Sequence, residues 1–176
     1  LVKEELLRSL AYETETLTEQ IKGWRILYKT SLPESDIAML IKIHPSPRED
    51  IENTRKAIED PFSEHQIIFL RDKKTKLHTL ASDLVTGMFA TSLVEAAYLD
   101  KDVISIQPGS SGNDQLPTNK FGVTVPVYRE EDILPTLEKI MHDEEFRLDL
   151  RERRKSFVSD GKATERVVDF VYNLLL

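Results

Sequence analysis

The 176-residue chain contains no cysteine, which excludes disulfides, thiolate metal sites and cysteine nucleophiles. Glycine and proline are scarce, at 6 and 8, so collagen-like and low-complexity chains are ruled out. No apolar run approaches the roughly 20 residues that a membrane-spanning helix requires. Nor is there an excess of positive charge. With 24 Lys and Arg against 31 Asp and Glu, the formal net charge is −7. Such a chain lacks the broad basic footprint of a duplex-binding protein, though it can still hold a phosphate in a local pocket. The histidines His44, His65, His78 and His142 show no pairing four residues apart that would bind a metal on one helix. The start, Leu1-Val2-Lys3-Glu4-Glu5, has neither Met nor a signal-peptide pattern. The expectation is a cytoplasmic domain cut from a longer chain, with no metal, no membrane span and no nucleic-acid partner.

Apolar residues make up 40% of the chain and charged residues 31%, the balance of an ordinary globular domain. Leu6, Leu7, Leu10, Leu17, Ile21, Trp24 and Tyr28 recur at helical spacing, with Glu13, Glu15 and Glu19 between them. Residues 3–28 therefore read as one long amphipathic helix. A rhythm of short apolar runs and helical stretches follows. Strands are predicted at 37–43, 66–70, 83–86, 103–106 and 122–125. Helices are predicted at 47–59, 73–80, 92–99, 130–142, 144–158 and 163–176. Nearly continuous apolar runs such as Ile37-Ala38-Met39-Leu40-Ile41 suit strands buried on both faces. The pattern predicts a single α/β domain: a Rossmann-like parallel sheet with helices on both faces and a helical tail. Its core is expected to hold Ile41, Ile43, Ile68, Leu84, Val85, Val103 and Ile104. Doubly wound sheets normally open on a central strand, whereas this chain opens on a helix. A strand just upstream of Leu1 is therefore expected.

Ligands of such sheets gather at the carboxyl ends of strands. Three stretches fall there. In Ile43-His44-Pro45-Ser46-Pro47-Arg48-Glu49, Ser46 and Glu49 form a capping-box pattern and Pro47 fits a first helical position. His44 has no such structural role. Beside a helix N-terminus it either donates to a phosphate oxygen or bonds a nearby carbonyl. In the second stretch, Thr86 through Glu95, Thr91 and Ser92 offer hydroxyls and amides to a phosphate. Ser92 and Glu95 also fit a capping box, and both readings are compatible for Ser92. The third, Gln107 through Gln115, is a polar Gly/Ser-rich loop of the kind that carries specificity. The basic run Arg151-Glu152-Arg153-Arg154-Lys155 reads as a solvated helix face. His65 and His78 read as surface or core-edge residues. There is no Gly-x-Gly-x-x-Gly fingerprint, P-loop or Gly-x-Ser-x-Gly elbow.

The stretches Ser82-Asp83-Leu84-Val85-Thr86-Gly87 and Glu95-Ala96-Ala97-Tyr98-Leu99-Asp100-Lys101-Asp102-Val103-Ile104-Ser105, with the tail Asp160-Gly161-Lys162-Ala163-Thr164-Glu165-Arg166-Val167, resemble the C-terminal, donor-binding half of GT-B glycosyltransferases. Asp102 stands where those enzymes usually carry a proline. His44-Pro45 is similar to the HP motif of bacterial sialyltransferases and Kdo transferases, and Thr91-Ser92 to their later Ser/Thr pair. The resemblance implies a CMP- or UDP-linked sugar as substrate, with no cofactor and no metal. His44 would be catalytic through the donor phosphate, and Pro45, Thr91, Ser92 and Glu95 would bind the donor. It further implies an N-terminal domain, not in this chain, that binds the acceptor and supplies the base, so that the chain alone is inactive.

The sequence also departs from that family. Gly87 occupies the place of the first acid in the paired-Glu motif of retaining enzymes, leaving Glu95 as the second. Asp114-Gln115 with Asn119 resembles a stretch that touches donor sugar hydroxyls, the Asn being offset by one. Two alternatives stay open: a UDP-N-acetylglucosamine 2-epimerase of the same fold, and a domain that binds nucleotide or protein without catalysis.

Overall fold

The computed structural model describes residues 38–42, 52, 56, 67–72, 74–110, 114 and 116–175. Five short strands alternate with helices: β1 (Met39–Lys42), β2 (Ile67–Leu70), α1 (Thr75–Ala81), β3 (Leu84–Gly87), α2 (Thr91–Tyr98), β4 (Asp102–Ile106), α3 (Pro117–Lys120) and β5 (Val125–Val127). A 3-10 turn (Glu130–Asp132) then leads into α4 (Ile133–His142), α5 (Glu144–Lys155) and α6 (Ala163–Leu175). All pairings are parallel, in two groups: β1 with β2, and β3-β4-β5. The expected helix at 3–28 lies outside the described residues, and of the one at 47–59 only Glu52 and Lys56 are described, both helical.

The burial of β4 explains its sequence. All five of its residues are buried, because helices cover both faces of the sheet there. Ile104 and Ile106 face the layer formed with Ile133, Leu137 and Ile140 of α4. Val103 faces the opposite layer, with Leu93 and Ala96 of α2 and with Leu116. Each large aliphatic side chain fully buried in this way stabilises the fold by about 1.5–3 kcal/mol. Among the expected core residues, Ile41, Val103 and Ile104 are buried, and Leu84 and Val85 are partly buried against the two layers. Ile43 lies outside the described residues. Ile68 is a correction: it is 51% exposed, because it points away from α4 on a face that no described element covers.

Two further corrections have local causes. The last strand begins at Val125, not residue 122, since Gly122 takes a φ of +66° in the preceding turn. The basic run on α5 is not all solvated. Arg154 is buried, its Nε donating to Asp100 (2.8 Å) and one Nη to Asp102 (2.9 Å). Arg147 reaches the other oxygen of Asp102 at 3.2 Å. The Asp102 carboxylate thus ties α5 to the amino end of β4. Asp100 sits at φ +56° just past α2, where Lys101 and Asp100 donate their amides to the carbonyls of Ala96 and Ala97. That closing pattern normally uses glycine. Here the aspartate is held in place by Arg154. All 13 residues of α6 are exposed, among them Phe170, Val171, Tyr172 and Leu174.

Candidate functional site

The carboxyl edge of the three-stranded sheet is built around the turn from β3 into α2. Gly87 ends β3 against Leu93, where an added Cβ would stand 3.2 Å from a Leu93 methyl. The turn at Met88 is pinned from the neighbouring strand. Ser105, fully buried at the end of β4, donates its hydroxyl to the Met88 carbonyl at 2.5 Å. Gln107, also buried, donates to Ser105 Oγ (2.7 Å) and to Asp114 Oδ1 (3.0 Å). A bond from β4 to Met88 therefore fixes the direction in which α2 leaves the sheet.

Sequence reasoning placed the cap of α2 at Ser92, but it falls at Ala90, which makes no side-chain capping bond. Thr91 and Ser92 are the first two residues inside the helix. Their amides have no acceptor a turn earlier, and their hydroxyls bond no described residue. Thr91 is exposed and Ser92 half-buried, so both are open to a ligand. No acid stands in the first turn to compete with an anion. Glu95, exposed one turn further on, does not close a capping box. The start of α2 thus offers amide and hydroxyl donors together with the positive end of the helix dipole, the arrangement that accepts phosphate. His44 and Pro45 lie outside the described residues, so the described structure brings together only Thr91, Ser92 and Glu95.

The loop after β4 differs from what its resemblance implied. The half-buried carboxylate of Asp114 is engaged by the protein's own donors. It accepts from Gln107 and the Leu116 amide (2.8 Å) on one oxygen, and from Asn119 Nδ2 and Tyr128 OH (both 2.6 Å) on the other. Asn119 in turn accepts at its carbonyl from the Thr124 hydroxyl. Asp114 and Asn119 are therefore clamps on the loop, not free contacts for a sugar. Burial pushes the Asp114 carboxyl up, but the bonds from Tyr128, Gln107, Leu116 and Asn119 together hold it below the usual aspartate value. Tyr128 is pushed up to about 12 by burial, by its bond to Asp114 and by that charge. Gln115 lies outside the described residues.

Among the described residues no cluster of His, Asp or Glu could hold a metal ion, and no helix is long and apolar enough to cross a membrane. No protein-family model and no curated protein matches the sequence. Solved structures do. The chain is similar to S. aureus MnaA solved with UDP, at 16% identity and a TM-score of 0.66, over 88% of this chain and 41% of that one. It is also similar to UDP-GlcNAc 2-epimerase from Neisseria meningitidis bound to UDP-GlcNAc, at 17% identity and a TM-score of 0.64, over 89% and 42%. The likeness is one of fold. The GT-B-like Rossmann arrangement expected from the sequence is the one observed, and the chain spans about two fifths of the length of these neighbours.

Ser105 and Tyr128 escaped the sequence reading, and Gln107, read there only as the start of the third stretch, is a buried clamp on the turn. The signal for Ser105 and Gln107 was a pair of polar residues two apart at the end of an apolar strand, which places them on one buried face.

Proposed function

We propose that this chain is the nucleotide-sugar-binding half of a two-domain glycosyltransferase whose other half binds the acceptor and supplies the base. The start of α2 carries this reading: a helix end without an acid, with two hydroxyls that bond no described residue, on a turn fixed by Ser105. The donor phosphate would sit there, and Glu95, one turn along, would reach the ribose. Negative charge grows on the nucleotide phosphate as the acceptor hydroxyl attacks the anomeric carbon. Preorganised donors at Thr91 and Ser92 would stabilise that charge more than they stabilise the ground state. His44 would add a donor from the end of β1, next to Pro45. The neighbours solved with UDP and UDP-GlcNAc favour a UDP-linked donor over a CMP-linked one.

A second reading, epimerisation of a UDP-sugar, draws its support from one neighbour being a UDP-GlcNAc 2-epimerase. Product analysis on the full natural protein separates the two, a glycoside in one case and an epimerised sugar in the other. For the site itself, UDP and CMP are titrated calorimetrically into the chain and into Thr91→Val, Ser92→Ala and His44→Ala. Weak UDP binding that each variant reduces by about 1.5–3 kcal/mol is expected, the range for a hydrogen bond to a charged group. Affinity unchanged in all three variants removes the site.

A further inference from the structure

The short helix α1 faces the wrong way for its own stability. Its buried side chain is Thr79, with Thr75 and His78 half-buried beside it. Leu77 and Leu80, one turn apart on the opposite side, are 59% and 46% exposed. A lone leucine on a surface is ordinary, but a helix that buries a threonine and shows two leucines to solvent offers a contact surface. Charge gathers on the same element. From Arg71 to Lys76 the sequence carries four cations against one acid, in a chain whose formal net charge is −7. Lys74 and Lys76 are exposed and pair with no acid among the described residues. The acid of the run is already engaged. Asp72 accepts from the Lys74 amide at 3.1 Å and stands 3.9 Å from Lys42 Nζ and 3.4 Å from His78 Nε2. At the far end of α1, Lys101 Nζ donates to the Leu80 carbonyl at 2.8 Å, which brings a further cation there.

We propose that the outward face of α1, with Lys74, Lys76, Leu77, Leu80 and the adjoining Lys101, docks reversibly on a membrane surface that carries anionic lipid. Leu77 and Leu80 would enter the boundary between headgroups and acyl chains, while the flanking ammonium groups meet lipid phosphates. Lysine suits that place, because its aliphatic stem lies along apolar surface while its head stays in water. Charge complementarity and the leucines together select the partner. A nucleic acid would use the lysines, but its phosphates offer nothing to two leucines. A neutral bilayer would take the leucines and leave the lysines without a counter-charge. Each lysine adds about fivefold to the affinity, so the contact is weak, reversible and loosened by salt. The inference does not rest on the nucleotide reading of the start of α2.

Because the chain has no cysteine, a single introduced thiol can report on this face. Leu77→Cys, labelled with a polarity-sensitive dye, is mixed with phosphatidylcholine vesicles and with vesicles that also carry phosphatidylglycerol. A blue shift with the anionic vesicles alone, fading as salt is raised, is expected. The same label at Glu138→Cys, exposed on α4, should not respond. In co-sedimentation of the unlabelled chain with anionic vesicles, Lys74→Glu with Lys76→Glu should weaken binding by about tenfold or more. Leu77→Ser with Leu80→Ser should weaken it about tenfold while leaving binding to heparin, a soluble polyanion, unchanged. Circular dichroism checks the fold of each variant, and if the serine pair disturbs it the labelled chain decides alone. No shift with anionic vesicles overturns the proposal, and so does equal binding to neutral ones. Lipid binding that the folded serine pair leaves intact also overturns it, since the site would then serve any polyanion. A label at position 77 already shielded before vesicles are added does the same, because another part of the chain or a second copy would then cover the face.

Discussion

The two ends of β4 each hold a carboxylate, and the protein satisfies them by opposite means. At the amino end Asp102 is buried and met by two guanidiniums, those of Arg154 and Arg147. At the carboxyl end Asp114 is partly exposed and met by neutral donors from Gln107, Leu116, Asn119 and Tyr128. Paired charges lock a helix onto the sheet, and removing either partner leaves a charge stranded in low dielectric. Neutral donors fix a loop without bringing a cation to the edge. The N-terminus of α2 is thereby left as a source of positive potential there. One end is built for attachment and the other for access.

The largest effect should follow from breaking the first end. Arg154→Ala leaves Asp102 with one guanidinium and should cost about 3–5 kcal/mol in a denaturant melt, the range for halving a buried pair. A loss under 1 kcal/mol would show that Arg147 alone satisfies Asp102. Next comes Asp114→Asn, which keeps the shape but sets an amide against the Asn119 donor. It should destabilise by about 1–3 kcal/mol, with faster exchange in the loop after β4 as the local readout.

The pH profile sharpens the contrast. The depressed Asp114 pKa means that its contribution is present above the ordinary carboxylate range and fades as pH falls through the folded value. The raised Tyr128 pKa acts in the other direction. Its contribution is whole below 10.0 and fades as pH climbs toward about 12. Tyr128→Phe should abolish that alkaline limb in pH-dependent melts, and an unchanged limb would assign it elsewhere. The smallest effect is expected at Ser92→Ala. Since Ser92 does not cap α2, stability should stay within about 0.5 kcal/mol of the parent, whatever happens to nucleotide affinity. A larger loss in the melt would restore Ser92 as a cap.

Alternation of apolar runs with helical spacing made the parallel α/β sheet legible, because a strand covered on both faces admits few polar residues. Long-range partners were not legible in the same way. Arg154 lies in a run of like residues, and only carboxylates 52 and 54 positions away distinguish it from Arg153. The helix Pro117–Lys120 is too short to show a period, and Thr118 and Asn119 are tied by bonds to Thr124 and Asp114. At the site, the Thr91-Ser92 pair was visible as a strand-to-helix turn. Which residue began the helix was not, since Thr, Ser and Ala all enter a first turn when tertiary bonds set the exit angle.

The contact between Gly87 and Leu93 constrains how this site could change by mutation. A side chain at 87 would set its Cβ 3.2 Å from a Leu93 methyl, tighter than ordinary contact, and Leu93 is 1% exposed in the core. Any larger residue there, an acid included, would require Leu93 to shift by a few tenths of an ångström. A smaller residue at 93 would relieve that crowding at the cost of a core truncation, about 2–5 kcal/mol if taken to alanine. The residue that ends β3 and the packing at the base of α2 are therefore coupled in any change to the turn.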